Sequence, residues 1–138
     1  MSDNTFLRDF DDPKLQALLE TMVLAAFADG EFSAEEQAHF AKSVESLTDG
    51  SLGGARLEAM LGQVLAAWKG QGSEARLASI KERLPDAGAR KVALSLAIQV
   101  TASDGIIRTS EREMLFDMAE GLDIDRDEAA DLVVKLTR

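Results

Sequence analysis

Two stretches of the chain carry the same arrangement of carboxylates around a glycine: Ala28-Asp29-Gly30-Glu31-Phe32-Ser33-Ala34-Glu35-Glu36 and Ser103-Asp104-Gly105-Ile106-Ile107-Arg108-Thr109-Ser110-Glu111. In each, a Glu follows the Asp by seven residues, and both Asp29 to Asp104 and Glu36 to Glu111 are displacements of 75. Carboxylate oxygens are the ligands of hard divalent cations, and carboxylates held close together repel unless a counter-ion sits between them. If the two halves pack about an approximate two-fold axis, Asp29, Glu36, Asp104 and Glu111 can approach one another as one cluster. These four residues are the candidate metal ligands, for a divalent ion that the spacing leaves open among Ca²⁺, Mg²⁺, Mn²⁺ and Zn²⁺.

The spacing also overlaps the middle and end of an EF-hand loop, with Asp29 and Asp104 at the fifth place and Glu36 and Glu111 at the twelfth. The first and third places would then fall on Ala25 and Phe27, or on Val100 and Ala102, which have no side-chain oxygen, so an ordinary EF-hand is excluded. A purely architectural reading competes. Gly30 and Gly105 permit positive φ, Asp29 and Asp104 can accept bonds from nearby amides, and Ser33 with Glu36 forms a capping box. In the second copy Arg108 stands where Ser33 stands in the first and accepts no amide hydrogen bond, which leaves Thr109 to cap one residue later.

Helices must position these groups. Leu15, Leu18, Leu19, Met22, Val23 and Ala26 recur at helical spacing behind Asp12 and Pro13, predicting a first helix over 13–28. Phe40, Val44 and Leu47 continue a second to about Thr48, and Leu57, Leu61, Val64, Leu65 and Trp68 define a third. Ser73 is the expected cap of a shorter fourth helix with Leu77, Ile80 and Leu84, stopped by Pro85. Asp86 caps a fifth running to about Ser103, whose Leu94 and Ile98 align with Leu19 and Val23 at the same displacement of 75. Leu115, Met118, Ala119 and Leu122 mark a sixth, with Gly121 as its expected left-handed terminus. Asp125 and Glu128 open a seventh carrying Ala129, Leu132, Val133 and Leu136. No stretch sustains the alternation of a half-buried strand, so the expected fold is all-α: one domain of about seven helices over 13–138 with an internal pseudo-two-fold repeat, after an N-terminal segment at 1–12.

With 138 residues, 46% of them hydrophobic, the chain can bury a core without cross-links, and it contains no cysteine to form them. The formal charge of −10 repels phosphate backbones, and no Lys/Arg cluster interleaved with aromatics opposes it, so nucleic acid is not an expected partner. The longest apolar run, Met22 to Ala28, falls well short of the roughly 20 residues that span a bilayer. Direct membrane insertion is therefore not expected. The polar, acidic start lacks a secretory pattern, which predicts a cytoplasmic protein.

The paired Asp-Gly-x-hydrophobic-x-x-x-Glu units, each behind an apolar helix, together with Leu122-Asp123-Ile124 before a last acidic-capped helix, resemble the tellurite-resistance TerB family over about residues 13–136. The resemblance implies a compact seven-helix domain, non-enzymatic, with an acidic metal-binding surface and a cytoplasmic role in tellurite or other stress responses. It implies protein partners, including a membrane-associated stress-response complex, since a related domain fronts some membrane-bound DnaJ-like cochaperones. Carried across by position, it supports Asp29, Glu36, Asp104 and Glu111 as ligands and Gly30 and Gly105 as turn residues, with Glu35 and Glu113 as weaker additions. No family signature is found between about Asp49 and Leu84. The alternative reading is a metal-independent interaction module that uses the acidic surface or a Met/Phe patch.

Other constellations are weaker. Asp49-Gly50-Ser51-Leu52 resembles the Asp-Ser-Leu of acyl carrier proteins, but the inserted glycine breaks the match. His39, the sole histidine, completes Glu36-x-x-His39, whereas the second copy reads Glu111-Arg112-Glu113-Met114 without one, so a di-metal carboxylate site is not expected. Neither a Gly-x-Ser-x-Gly elbow nor a phosphate-cradling Gly-x-x-x-x-Gly-Lys segment occurs. Met60, Met114, Met118, Phe40 and Phe116 read as core filler, and Trp68 as partly buried.

Overall fold

Each of the apolar periodicities becomes a helix. The computed structural model describes residues 12–26, 34–48, 53–68, 72–102 and 109–136, and among them the chain is all-α without a strand. The elements are α1 (Asp12–Ala26), α2 (Ala34–Leu47), α3 (Gly54–Trp68), α4 (Ser73–Arg83), α5 (Ala87–Thr101), α6 (Thr109–Gly121) and α7 (Arg126–Leu136). None of the described helices is long and apolar enough to cross a membrane.

The core is built around α1 and α5, which make the most extensive contact between any two elements. The apolar stripe expected on α1 is an understatement: from Ala17 through Ala25 every residue is buried, because α3, α4, α5 and α6 all pack on it. A helix surrounded in this way has no solvated face. Its buried Thr21 hydroxyl is satisfied locally, donating to the Ala17 carbonyl at 2.7 Å, and Thr101 does the same to Ala97 on α5. Leu94, Ile98, Leu115, Met118 and Leu122 are fully buried, and Phe40 and Met60 join the core, with Met114 and Phe116 packed against it. The side chain of Trp68 lies outside the described residues.

Helix bounds and contacts recur. α1 and α5 begin and end at residues 75 apart, and α2 and α6 begin at the same displacement. Where α1 touches α3, α5 touches α7; α2 contacts α3 as α6 contacts α7; and α2 lies on α5 as α6 lies on α1. Among the described helices only α4 has no counterpart in this scheme, and it docks on α1 and α6.

Two helix ends obey local chemistry. Leu84, before Pro85, leaves helical geometry at φ −120 and ψ 75, as the proline ring requires. Pro85 has no N–H to give the Lys81 carbonyl, and the Arg90 guanidinium supplies that bond at 3.2 Å while donating to the Leu84 carbonyl at 2.6 Å. Asp125 caps α7, accepting the Asp127 amide at 3.1 Å, and Glu128 reaches Lys91 at 2.8 Å.

Three expected caps are different: α6 begins at Thr109, which is itself helical rather than the capping residue ahead of it. The N-cap of α4 is Gly72, and Ser73 is already helical. Asp86 does occupy the cap position of α5, but its side chain makes no capping bond.

Candidate functional site

Asp29, Asp104, Gly30 and Gly105 lie outside the described residues, as do Ser33, Arg108 and the Asp49-Gly50-Ser51-Leu52 segment. The two glutamates of the candidate metal site are described. Glu36 is exposed in the first turn of α2, and Glu111 is half-buried in the first turn of α6. Carboxylates there complement the positive end of the helix dipole, and both residues have interaction partners. Glu35, Glu113 and His39 are exposed. Among the described residues no three His, Cys, Asp or Glu side chains come together as a metal-binding group. The EF-hand exclusion gains a geometric reason, because Ala25 and Val100, at the first ligand place, are buried inside α1 and α5.

The strongest polar cluster escaped the sequence reading. Glu20, in the middle of α1, is 0% exposed, and its carboxylate is held by two guanidinium groups of α4. Arg76 binds it with both prongs, Nε to Oε2 at 2.5 Å and Nη2 to Oε1 at 2.8 Å, and Arg83 Nη2 reaches Oε1 at 2.6 Å. Hydrogen bonding to Glu20 raises the pKa of Arg76 above its ordinary value, against the opposing effect of burial. Three of the roughly four acceptor sites of this carboxylate are taken by the two guanidinium groups, and in a fully buried position its role is to clamp α4 onto α1. Two signals pointed to it: a Glu inside an otherwise apolar helix needs a partner, and Arg76 and Arg83 stand two turns apart beside Leu77, Ile80 and Leu84.

A second constellation involves the last turn of α4, through Lys81. The left-handed residue after α6 is Asp123, with φ 59, and not Gly121 as expected. Ile124 N–H donates to the Ala119 carbonyl at 2.8 Å and Asp123 N–H to that of Glu120 at 3.1 Å, the paired bonds of a Schellman motif. Aspartate tolerates this conformation better than most residues. Its carboxylate lies 2.6 Å from Lys81 Nζ and 3.8 Å from Arg90, and the Lys81 hydrogen bond and charge hold its pKa below the usual carboxylate range. Gly121 serves packing: a Cβ there would stand 3.3 Å from Leu77 Cδ1, so the missing side chain lets α4 approach α6. Arg126, the first residue of α7, lies 5.1 Å from the centroid of the Phe116 ring on α6.

Comparison with protein-family models, with curated proteins and with solved structures finds no match to this chain.

Proposed function

We propose that the chain is a non-enzymatic, TerB-like helical domain of a cytoplasmic tellurite or related stress response, which holds a divalent cation between its two Asp-Gly turns. Asp29 and Asp104 are the turn-borne oxygen donors and Glu36 and Glu111 the helix-borne ones. What carries the reading is the recurrence at 75 residues, which extends from the motif to the bounds of α1 and α5 and to the starts of α2 and α6. The exchange of contacts, α2 on α5 and α6 on α1, is the pattern that two related halves packed about an approximate two-fold axis would make. The reading puts the two Asp-Gly turns beside that axis, where a cation between four carboxylates removes their mutual repulsion.

Neutral-pH calorimetry on metal-stripped protein with Ca²⁺, Mg²⁺, Mn²⁺ and Zn²⁺ tests this. Saturable binding of one of them is expected, together with metal-induced thermal stabilisation that disappears in the Asp104→Asn, Glu111→Gln variant. If none of the four ions binds saturably, the metal reading fails and the chain is left as a metal-independent interaction module.

A further inference from the structure

Between α4 and α6 lies a cleft of about 510 Å³, within the range of small-ligand and peptide sites. Its floor is apolar, formed by Leu77 of α4 and by Met114 and Gly121 of α6 with the exposed Ala78 at its edge, and the missing Cβ of Gly121 lets the two helices approach closely there. Its rim is acidic: Glu74 on one helix, Asp117 and Glu120 on the other, all exposed. Among the described residues the one cation of the lining, Lys81, is engaged with Asp123 at 2.6 Å. Among the described residues no ion pair reaches Glu74, Asp117 or Glu120, so the rim presents three uncompensated carboxylates around a greasy floor.

We propose that this cleft docks a basic amphipathic segment of a partner protein, with an apolar side chain on Met114 and Leu77 and flanking Lys or Arg side chains on Glu74, Asp117 and Glu120. Charge complementarity selects this occupant. The chain's own N-terminal residues carry Asp3, Asp9 and Asp11 against a single Arg8, so they are repelled by the rim. A second copy brings a formal charge of −10 and, across a two-fold contact, sets the same carboxylates against themselves. A bare metal ion is disfavoured because these three carboxylates do not form a metal-binding group. Residues 74, 77, 78 and 81 of α4 face residues 114, 117 and 121 of α6 at helical spacing, which leaves a groove running between two helices, the shape that receives an amphipathic helix. Docking here does not depend on cation binding at the Asp-Gly turns.

The test is fluorescence anisotropy of the full chain, in chelator, with a labelled amphipathic Lys/Leu helix as probe and the same peptide with every Lys replaced by Glu as its counterpart. Saturable binding of the Lys/Leu peptide alone is expected. Asp117→Lys with Glu120→Lys weakens it about tenfold or more, and Met114→Ala weakens it several-fold without changing charge. Glu58→Lys with Asp131→Lys changes net charge equally at exposed positions that do not line the cleft, and leaves affinity within about threefold. Circular dichroism confirms that each variant is folded, and Asp117→Asn with Glu120→Gln replaces the reversal pair if that pair is not. No saturable binding, equal binding of the Glu peptide, or an equal loss in the two charge-reversal pairs overturns the proposal.

Discussion

Glu20→Gln is nearly isosteric, so whatever it changes comes from charge and from the hydrogen-bonding pattern. In the native protein the carboxylate is wholly buried and accepts three bonds, at 2.5, 2.8 and 2.6 Å, from Arg76 and Arg83. An amide retains one acceptor oxygen but turns its N–H₂ group toward guanidinium donors, leaving two cations without their counter-charge. Breaking a buried ion pair from one side costs about 3–5 kcal/mol. The arginine side chains keep 12% and 21% exposure and recover some hydration, so the lower end, about 3 kcal/mol, is expected. With an unfolding entropy of about 2.1 cal/mol/K per residue over 138 residues, that loss lowers Tm by roughly 10 °C. Urea and thermal unfolding followed by circular dichroism at neutral pH measure both quantities. Hydrogen exchange should show the loss concentrated in α4, because the clamp joins that helix to α1. Replacing all three partners together, Glu20→Leu with Arg76→Leu and Arg83→Met, is expected to restore stability to within about 1–2 kcal/mol of the native protein, since well-packed apolar groups commonly match a buried ion network. A Glu20→Gln variant that loses less than about 1 kcal/mol would refute the reasoning.

Two further outcomes concern the C-terminal end of α4. The Asp123 pKa is lowered in the folded state by Lys81 and then Arg90, so the pair stabilises the fold above the ordinary carboxylate range and that contribution is lost as pH falls through the lowered value. Asp123→Asn keeps a residue that tolerates positive φ, and a plot of stability against pH should therefore be flatter than the native one below about pH 4; parallel curves would show that the ion pair contributes nothing. Arg90→Met preserves the aliphatic stem but removes the donors to the Lys81 and Leu84 carbonyls. Chemical denaturation should register a loss of about 1–2 kcal/mol, and an unchanged midpoint would mean that water replaces the guanidinium at no cost.

Legibility tracked the range of each interaction. Leu84 before Pro85 and Asp125 ahead of α7 behave as read, because proline sterics and a cap bond to a residue two positions on are local events. Gly121 departs from its expected place for the converse reason. A glycine near a helix end suits the left-handed position, but here its missing Cβ makes room for Leu77 on another helix, and the reversal falls two residues later at Asp123. Ser73 likewise reads as a cap, while the backbone turns into α4 one residue earlier, at Gly72.

The repeated Asp-Gly/Glu units, the apolar periodicities and the absence of strand alternation determined an all-helical chain, its breaks and its candidate ligands Asp29, Glu36, Asp104 and Glu111, since each is a matter of residue type and short spacing. Tertiary structure alone decided that α1 is enclosed along most of its length, that Glu20 meets arginines 56 and 63 residues away, and that an acidic rim surrounds an apolar cleft between α4 and α6. Those outcomes depend on where α4 docks. Its place is set by the fit of one helix surface to two others and by the cost of leaving a charge buried alone, quantities that no window along the sequence contains.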